Sequence, residues 1–208
     1  MKKFGKYLFL TLIILALSIY LLGYIYKISV LKNLNERNKI VENVWKDYIK
    51  NKNKKNEVFL SIINSFEVEN KLKDSILFYV TQKYKDEKLI YKSEELKSFI
   101  VNEYYINKYL LILSKNIDFK NDEIKESELI SLTKKCNFNI ETYNSTANDF
   151  NYYRSVFPNF FIANKRGFKN LEFIDLMYGK ENKNPNEKSN IDKWIETGDE
   201  KYLEKEQK

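Results

Sequence analysis

The chain contains no histidine. That absence removes Ser-His-Asp and Cys-His nucleophile pairs, His-ligated metals and the usual general base near neutral pH. The Glu-x-x-His ligand sets of di-iron bundles are excluded with it. One cysteine, Cys136, rules out an intrachain disulfide and any multi-cysteine zinc or iron–sulfur site. It falls on an apolar helical stripe and reads as a small core hydrophobe. Glu141 and Asp149 are candidate acids, but no pair of carboxylates stands at a useful spacing beside a base. The chain is therefore read as not an enzyme, with no cofactor. Arginine is scarce too: Arg37, Arg154 and Arg166 are the only three among 36 basic residues. Nucleic-acid recognition favours clustered arginine with its bidentate fork, whereas here lysines and acids are interspersed as on solvated helix faces. The net charge of +7 is thus not assigned to a nucleic-acid partner.

Breakers are almost as rare. Glycine occurs at 5, 23, 167, 179 and 198, and proline only at 158 and 185. Nothing between Tyr24 and Phe157 is a strong breaker, which predicts long helices joined by polar turns.

What is present begins with an uncharged run of 20 residues, Tyr7 to Tyr26, long enough to cross the hydrocarbon core as a helix. Tyr7 lies at one end and Tyr24 and Tyr26 at the other, where amphipathic rings favour the interface. A cleaved signal peptide competes with this reading, since "MKKFGKY" suits an n-region. The apolar run exceeds a typical h-region, however, and no small-x-small cleavage site follows, which favours an uncleaved anchor. The absence of a following cysteine excludes lipoprotein processing. Lys2, Lys3 and Lys6 flank one side and Lys27, Lys32, Arg37 and Lys39 the other, so the positive-inside rule does not choose an orientation. The expected localisation is the cell membrane, single-pass, with the side of the soluble part open. The lipid bilayer is the first expected partner, and Lys27, Lys32 and Lys39 are placed to meet anionic headgroups.

Beyond the membrane the first helix continues along Ile28, Leu31, Leu34, Val41, Val44, Trp45 and Tyr48. The run "KNKNKKNE" that follows reads as a solvated turn or helix end. A second helix fits Val58 to about Lys83, with a polar "EVENK" that allows a bend. A third starts near Ser93, with Glu94 and Glu95 in its first turn, and buries Leu96, Phe99, Ile100, Leu110, Leu113 and Ile117. After "DFKND", a fourth carries the stripe Leu129, Leu132, Cys136, Ile140, Tyr143, Ala147, Phe150 and Phe157. The expected fold is all-α: an N-terminal transmembrane helix continuing into an antiparallel bundle of about four helices. The corresponding segments are an anchor over 1–26, the bundle over 27–179 and a disordered polar tail over 180–208. Within that tail, a short helix around Trp194 reads as frayed tail or docking peptide.

Beside the fourth stripe runs a ridge of Asn144, Asn148, Asn151 and Ser155. Asparagine is a poor helix former, so the ridge calls for a reason. Hydrogen bonding along a packed seam is one; a polar groove for a partner segment is the other, which makes Asn144, Asn148 and Asn151 the candidate interaction residues. Pro158 disfavours helix at Phe157 and ends the fourth helix there. Gly167 suits a positive φ, and the segment holding Phe157, Pro158, Gly167 and Phe168 is expected to cap one end of the bundle. "LEFIDLMY" is expected as a short final helix capped by Asn170 and stopped by Gly179.

The stretch Tyr143–Ile174 resembles the C-terminal signature of the bacterial LemA family of membrane proteins. The matching positions are Tyr143-Asn144, Phe150-Asn151, Phe157-Pro158, Ala163, Gly167-Phe168 and Phe173, in register. Upstream, "VENVWKDY" is similar to the family's Val-and-Trp stretch after its membrane helix. Where the family carries an Arg-Arg run and Leu-Ile-Pro-Asn-Leu, this chain has "NKNKKNEVFLSIINSF", and Ile140 stands at a usual arginine, so the chain resembles a divergent member. The resemblance implies one N-terminal membrane helix before an antiparallel bundle and no defined enzymatic reaction.

Three functions are weighed. A membrane-tethered interaction or scaffolding protein of the cell envelope, with an unidentified protein partner, fits best. A single-pass sensor acting with a partner is the alternative, disfavoured because six residues precede Tyr7. An enzyme comes last. The long stripes and polar ridges also permit homo-oligomerisation.

Overall fold

The computed structural model describes residues 2–65, 70–81, 89–116, 123–179 and 182. Among these the chain is all-helical: α1 (Lys2–Ser65), α2 (Asn70–Thr81), α3 (Ser93–Asn116), α4 (Glu123–Ser155) and α5 (Asn159–Lys165), with a 3-10 turn at Leu89–Tyr91 before α3. The polar "EVENK" bend and the "DFKND" turn fall wholly or largely outside the described residues, and the tail beyond 179 is described only at Asn182. α1 is the one helix, among the described residues, long and apolar enough to cross a membrane, and its apolar window is unburied. It does not end at the lysine–asparagine run. Residues 50–57 are helical throughout, and Lys52, Lys55 and Asn56 are buried. The reason is periodic: Trp45, Tyr48, Lys52, Lys55, Phe59 and Ile62 follow one another at alternating steps of three and four, so the core stripe passes through the lysines.

The chain divides into two compact units, and α1 and α4 contribute to both. The larger comprises residues 41–147 and 171–208. Here Trp45 on α1 meets Phe99 on α3 edge-on at 5.6 Å and Tyr143 on α4 at 5.7 Å. Phe59 and Ile63 of α1, Ile76 of α2, and Ile106 and Leu113 of α3 form a second buried cluster. α1 and α4 run antiparallel, because their contacts descend one helix while ascending the other: Asn51 with Asn139, Lys54 with Glu128 and Ser65 with Lys125. α2 is joined to α3 through Tyr79, whose ring stacks on Tyr105 at 4.9 Å. Asn102 of α3 donates to the Tyr79 carbonyl, one of the four that the end of α2 leaves without an intrahelical partner. Glu42 accepts from the Tyr91 hydroxyl at 2.8 Å and fixes the entry to α3.

The smaller unit comprises residues 1–40 and 148–170. Arg37 of α1 pairs with Asp149 of α4 and lies over the Tyr153 ring. The Tyr26 hydroxyl donates to Asn159 at 2.6 Å, fastening the start of α5 to α1. α4 ends at Ser155, two residues earlier than the proline alone predicts, and the Phe157–Pro158 peptide is cis. The helical stripe stops at Phe150, and Phe157 is exposed.

Candidate functional site

The larger unit places charge where a core is expected. Lys55 and Glu103 have 0% exposure and Lys52 is nearly as buried. The Glu103 carboxylate lies 3.5 Å from the Lys52 ammonium and 3.8 Å from that of Lys55. It also accepts a 2.7 Å hydrogen bond from the Tyr178 hydroxyl, which in turn lies 2.8 Å from the Tyr48 hydroxyl. The ammonium groups also meet aromatic faces: Lys55 Nζ sits 3.5 Å from the Tyr178 ring centroid and Lys52 Nζ 5.2 Å from that of Phe99. Glu103 therefore faces two cations, and Lys55 Nζ and one Glu103 oxygen lack a hydrogen bond. Burial lowers the Lys55 pKa, with Glu103 opposing the shift. Burial, reinforced by Glu103, raises both Tyr48 and Tyr178 well above the ordinary phenol value. Cys136 is pushed up to about 11, chiefly by burial and against the pull of Lys55. Such a thiol is a weak nucleophile near neutral pH.

Tyr178 reaches this cluster from a segment that is not helical. Residues 171–178 have no regular secondary structure, and from Ile174 burial alternates: Leu171, Ile174, Leu176 and Tyr178 are buried and Glu172, Phe173, Asp175 and Met177 exposed. The expected final helix is thus replaced by a strap. An extended strand outside a sheet must find partners for its backbone, and here they are asparagines. Asn144 accepts from the Ile174 N–H at 2.8 Å and donates to the carbonyl of the same residue at 2.9 Å. Asn137 does likewise at Tyr178, at 2.8 and 3.0 Å, and Asn107 of α3 at Gly179, at 3.1 and 3.3 Å. The Tyr143 hydroxyl donates to the Glu172 carbonyl at 2.9 Å. A carboxamide offers one acceptor and one donor side by side, the same pair that a neighbouring β-strand would present. Gly179 takes φ +99°, a left-handed value that favours glycine where the strap meets Asn107.

Of the ridge residues, Asn144 is one of these clamps. Asn148 is exposed and Asn151 half-buried, both in the smaller unit. Asn137 and Asn107 escaped the sequence reading. The first had a signal, because Cys136-Asn137 extends the seven-residue spacing of Tyr143-Asn144 and Phe150-Asn151 by one step upstream. Glu103 also had one, standing at the step of the α3 stripe between Phe99 and Ile106. Asn107 had none.

In the smaller unit, Gly167 (φ +77°) closes α5 in a Schellman arrangement: Phe168 N–H bonds to the Ala163 carbonyl and Gly167 N–H to that of Asn164, each at 3.1 Å. Arg154 spreads its guanidinium over the turn, donating to the Phe168 carbonyl and to the Asn164 and Asn170 side chains at 2.7–2.8 Å. Phe168 packs against Phe150 at 6.1 Å, while Phe157 is exposed and meets the ring of the exposed Phe161.

The arrangement in the larger unit fastens the strap to α1, α3 and α4. Its charges are enclosed, the pKa values of its hydroxyls and thiol are raised by burial, and Tyr178 ties the strap to it. Among the described residues, no cluster of three or more His, Cys, Asp or Glu side chains is placed to take a metal ion. Comparison of the chain with models of known families, with curated proteins and with solved structures returns no match.

Proposed function

We propose that the chain is a single-pass, membrane-anchored helical-bundle protein with a non-catalytic interaction or scaffolding role in the cell envelope, and a divergent member of the LemA family. The observation that carries the reading is α1. An apolar, unburied stretch at its start passes without interruption into a stripe that supplies the bundle core from Val41 to Ile63. Apolar surface of that length is stable in a bilayer and costly in water. The buried Lys–Glu–Tyr cluster supports a holding role, since it spends its polar groups on locking the strap. Asn148, exposed on α4, is the ridge residue free to face a partner protein.

The test has two steps. Full-length chain is expressed and membranes are extracted with alkaline carbonate; retention in the pellet is expected, and release into the supernatant overturns the anchor. Cys136→Ala combined with Lys208→Cys, probed with a membrane-impermeant maleimide before and after lysis, then assigns the side. Asn148→Leu, which leaves the helical circular dichroism unchanged, is expected to weaken co-purification of the partner. Unchanged co-purification removes this ridge as the interaction surface.

A further inference from the structure

The charge of this chain is distributed unevenly between its two units. Residues 1–40 and 148–170 hold eleven basic and two acidic side chains, a net +9, while the remainder holds 25 basic and 27 acidic, a net −2. All three arginines lie in the smaller unit. Lys2, Lys3 and Lys6 lie at the far end of the apolar run; the unit's other eight basic residues, against two acidic, all follow Tyr26 in the chain, and Lys27, Lys165 and Arg166 share one groove there.

The α4–α5 turn belongs to that end. Tyr26 closes the apolar run, and its hydroxyl holds Asn159, the first residue of α5, at 2.6 Å. Asn159 is itself buried and donates to the Tyr153 carbonyl, so the attachment is fixed on both sides. Twenty residues at about 1.5 Å each just cross a hydrocarbon core, which sets Tyr26 and whatever it holds at the level of the headgroups. At that level Phe157 is 75% exposed and Phe161 58%, two phenyl rings 6.1 Å apart. A groove beside them is lined by Lys27, Phe161, Ile162, Lys165 and Arg166. No acidic residue occurs between Phe150 and Leu171. Exposed rings bordered by cations are costly in water and suited to the interface, where rings enter the acyl boundary and cations meet phosphates.

We propose that the segment Phe157–Arg166 is a second membrane contact, docking onto anionic phospholipid in the leaflet that the Tyr26 end of α1 enters. Phe157 and Phe161 enter the interface, and Lys27, Lys165 and Arg166 hold the headgroups. The proposal rests on the anchor reading above and deepens it: beside the anchor, the α4–α5 turn makes a contact of its own with the bilayer.

The test uses full-length chain reconstituted in vesicles of phosphatidylcholine with phosphatidylglycerol, in two sets that carry bromines high on the acyl chains, to read the turn, or near the chain ends, to read the apolar run. Phe157→Trp reports the turn and Ile14→Trp the apolar run, each read as added quenching over the unsubstituted chain with Trp45 and Trp194. Quenching of both is the expected result. Quenching at Ile14→Trp with none at Phe157→Trp overturns the second contact and leaves the anchor standing. No quenching at Ile14→Trp overturns the anchor and this proposal together. Reversing Lys165 and Arg166 to glutamate in the Phe157→Trp chain should shift the docked-to-undocked ratio about five-fold for each cation removed on phosphatidylglycerol vesicles, and little on phosphatidylcholine alone. Loss of Phe157→Trp solvent exposure that follows protein concentration and not bromine content overturns the proposal in favour of a contact between copies.

Discussion

Replacing Glu103 with glutamine removes the carboxylate that faces both Lys52 and Lys55 and keeps the shape of the side chain. At 3.5 and 3.8 Å, each attraction amounts to roughly 4–5 kcal/mol at an effective dielectric of about 20. Repulsion between the two ammonium groups, no longer offset, adds to the loss. The ceiling comes from Lys55 itself, whose pKa burial already lowers, so that it sheds its proton before the full penalty accrues. Breaking a buried pair from one side costs about 3–5 kcal/mol, and that is the expected destabilisation. For a chain of this size it corresponds to a melting temperature lower by roughly 6–20 °C. The assay is urea and thermal unfolding of full-length protein in detergent, followed by near-ultraviolet circular dichroism of the Trp45–Phe99–Tyr143 cluster. The deficit should narrow as pH rises: with Lys55 depressed in the folded state, the unfolded state holds more protons, so stability recovers through the folded pKa. Lys55→Met, which leaves one cation for one anion, should stay within about 1 kcal/mol of the parent or exceed it. A Glu103→Gln protein within about 1 kcal/mol of the parent would refute the reasoning, since the charges would then be hydrated or unpaired.

The remaining predictions concern the strap, the alkaline range and the turn. Asn144→Ala orphans the N–H and C=O of Ile174, costing about 1–3 kcal/mol, and amide exchange at Ile174 should accelerate more than at Val41. Above pH 9 the folded state keeps the Cys136 proton that the unfolded state loses, so stability falls by roughly 1.4 kcal/mol per pH unit until about 11. Cys136→Ala should flatten that part of the slope in denaturant titrations, leaving the later fall due to the buried tyrosines. Arg154→Lys keeps the charge but not the three-way fan of bonds, so exchange at Gly167 and Phe168 should quicken while helix content holds.

How much of this was legible in the sequence depends on what each residue type announces. α3 was readable to its first residue, because Ser93 with Glu94 and Glu95 is a start signal and the apolar stripe that follows is regular. The all-helical class followed from the missing breakers. The lysine run misled, since polarity was weighed above period: Lys52 and Lys55 sit in step with Tyr48 and Phe59, and a long aliphatic stem can occupy a core position when its head finds a partner on another helix. That partner, Glu103, lies about fifty residues away and no local rule connects the two. The strap misled for the opposite reason. "LEFIDLMY" has the apolar content of a short helix, and local propensity does not see three asparagines on other helices waiting for extended backbone. Of the ridge, sequence spacing found Asn144 as part of a pattern but not what it binds. The turn at Pro158 and Gly167 was readable because proline and glycine state their dihedral needs outright.

The asparagine clamp has a consequence for how the chain can be cut and rebuilt. Asn144, Asn137 and Asn107 grip only main-chain atoms, so their hold is indifferent to which side chains the strap carries. Identity matters at the buried positions, Leu171, Ile174, Leu176 and above all Tyr178, and at Gly179 with its left-handed φ. The exposed positions Glu172, Phe173 and Met177 are open to cross-linkers, dyes or a foreign epitope spaced along the strap. A synthetic peptide that keeps Leu171, Ile174, Asp175, Leu176, Tyr178 and Gly179 is therefore expected to complement a chain truncated before Leu171.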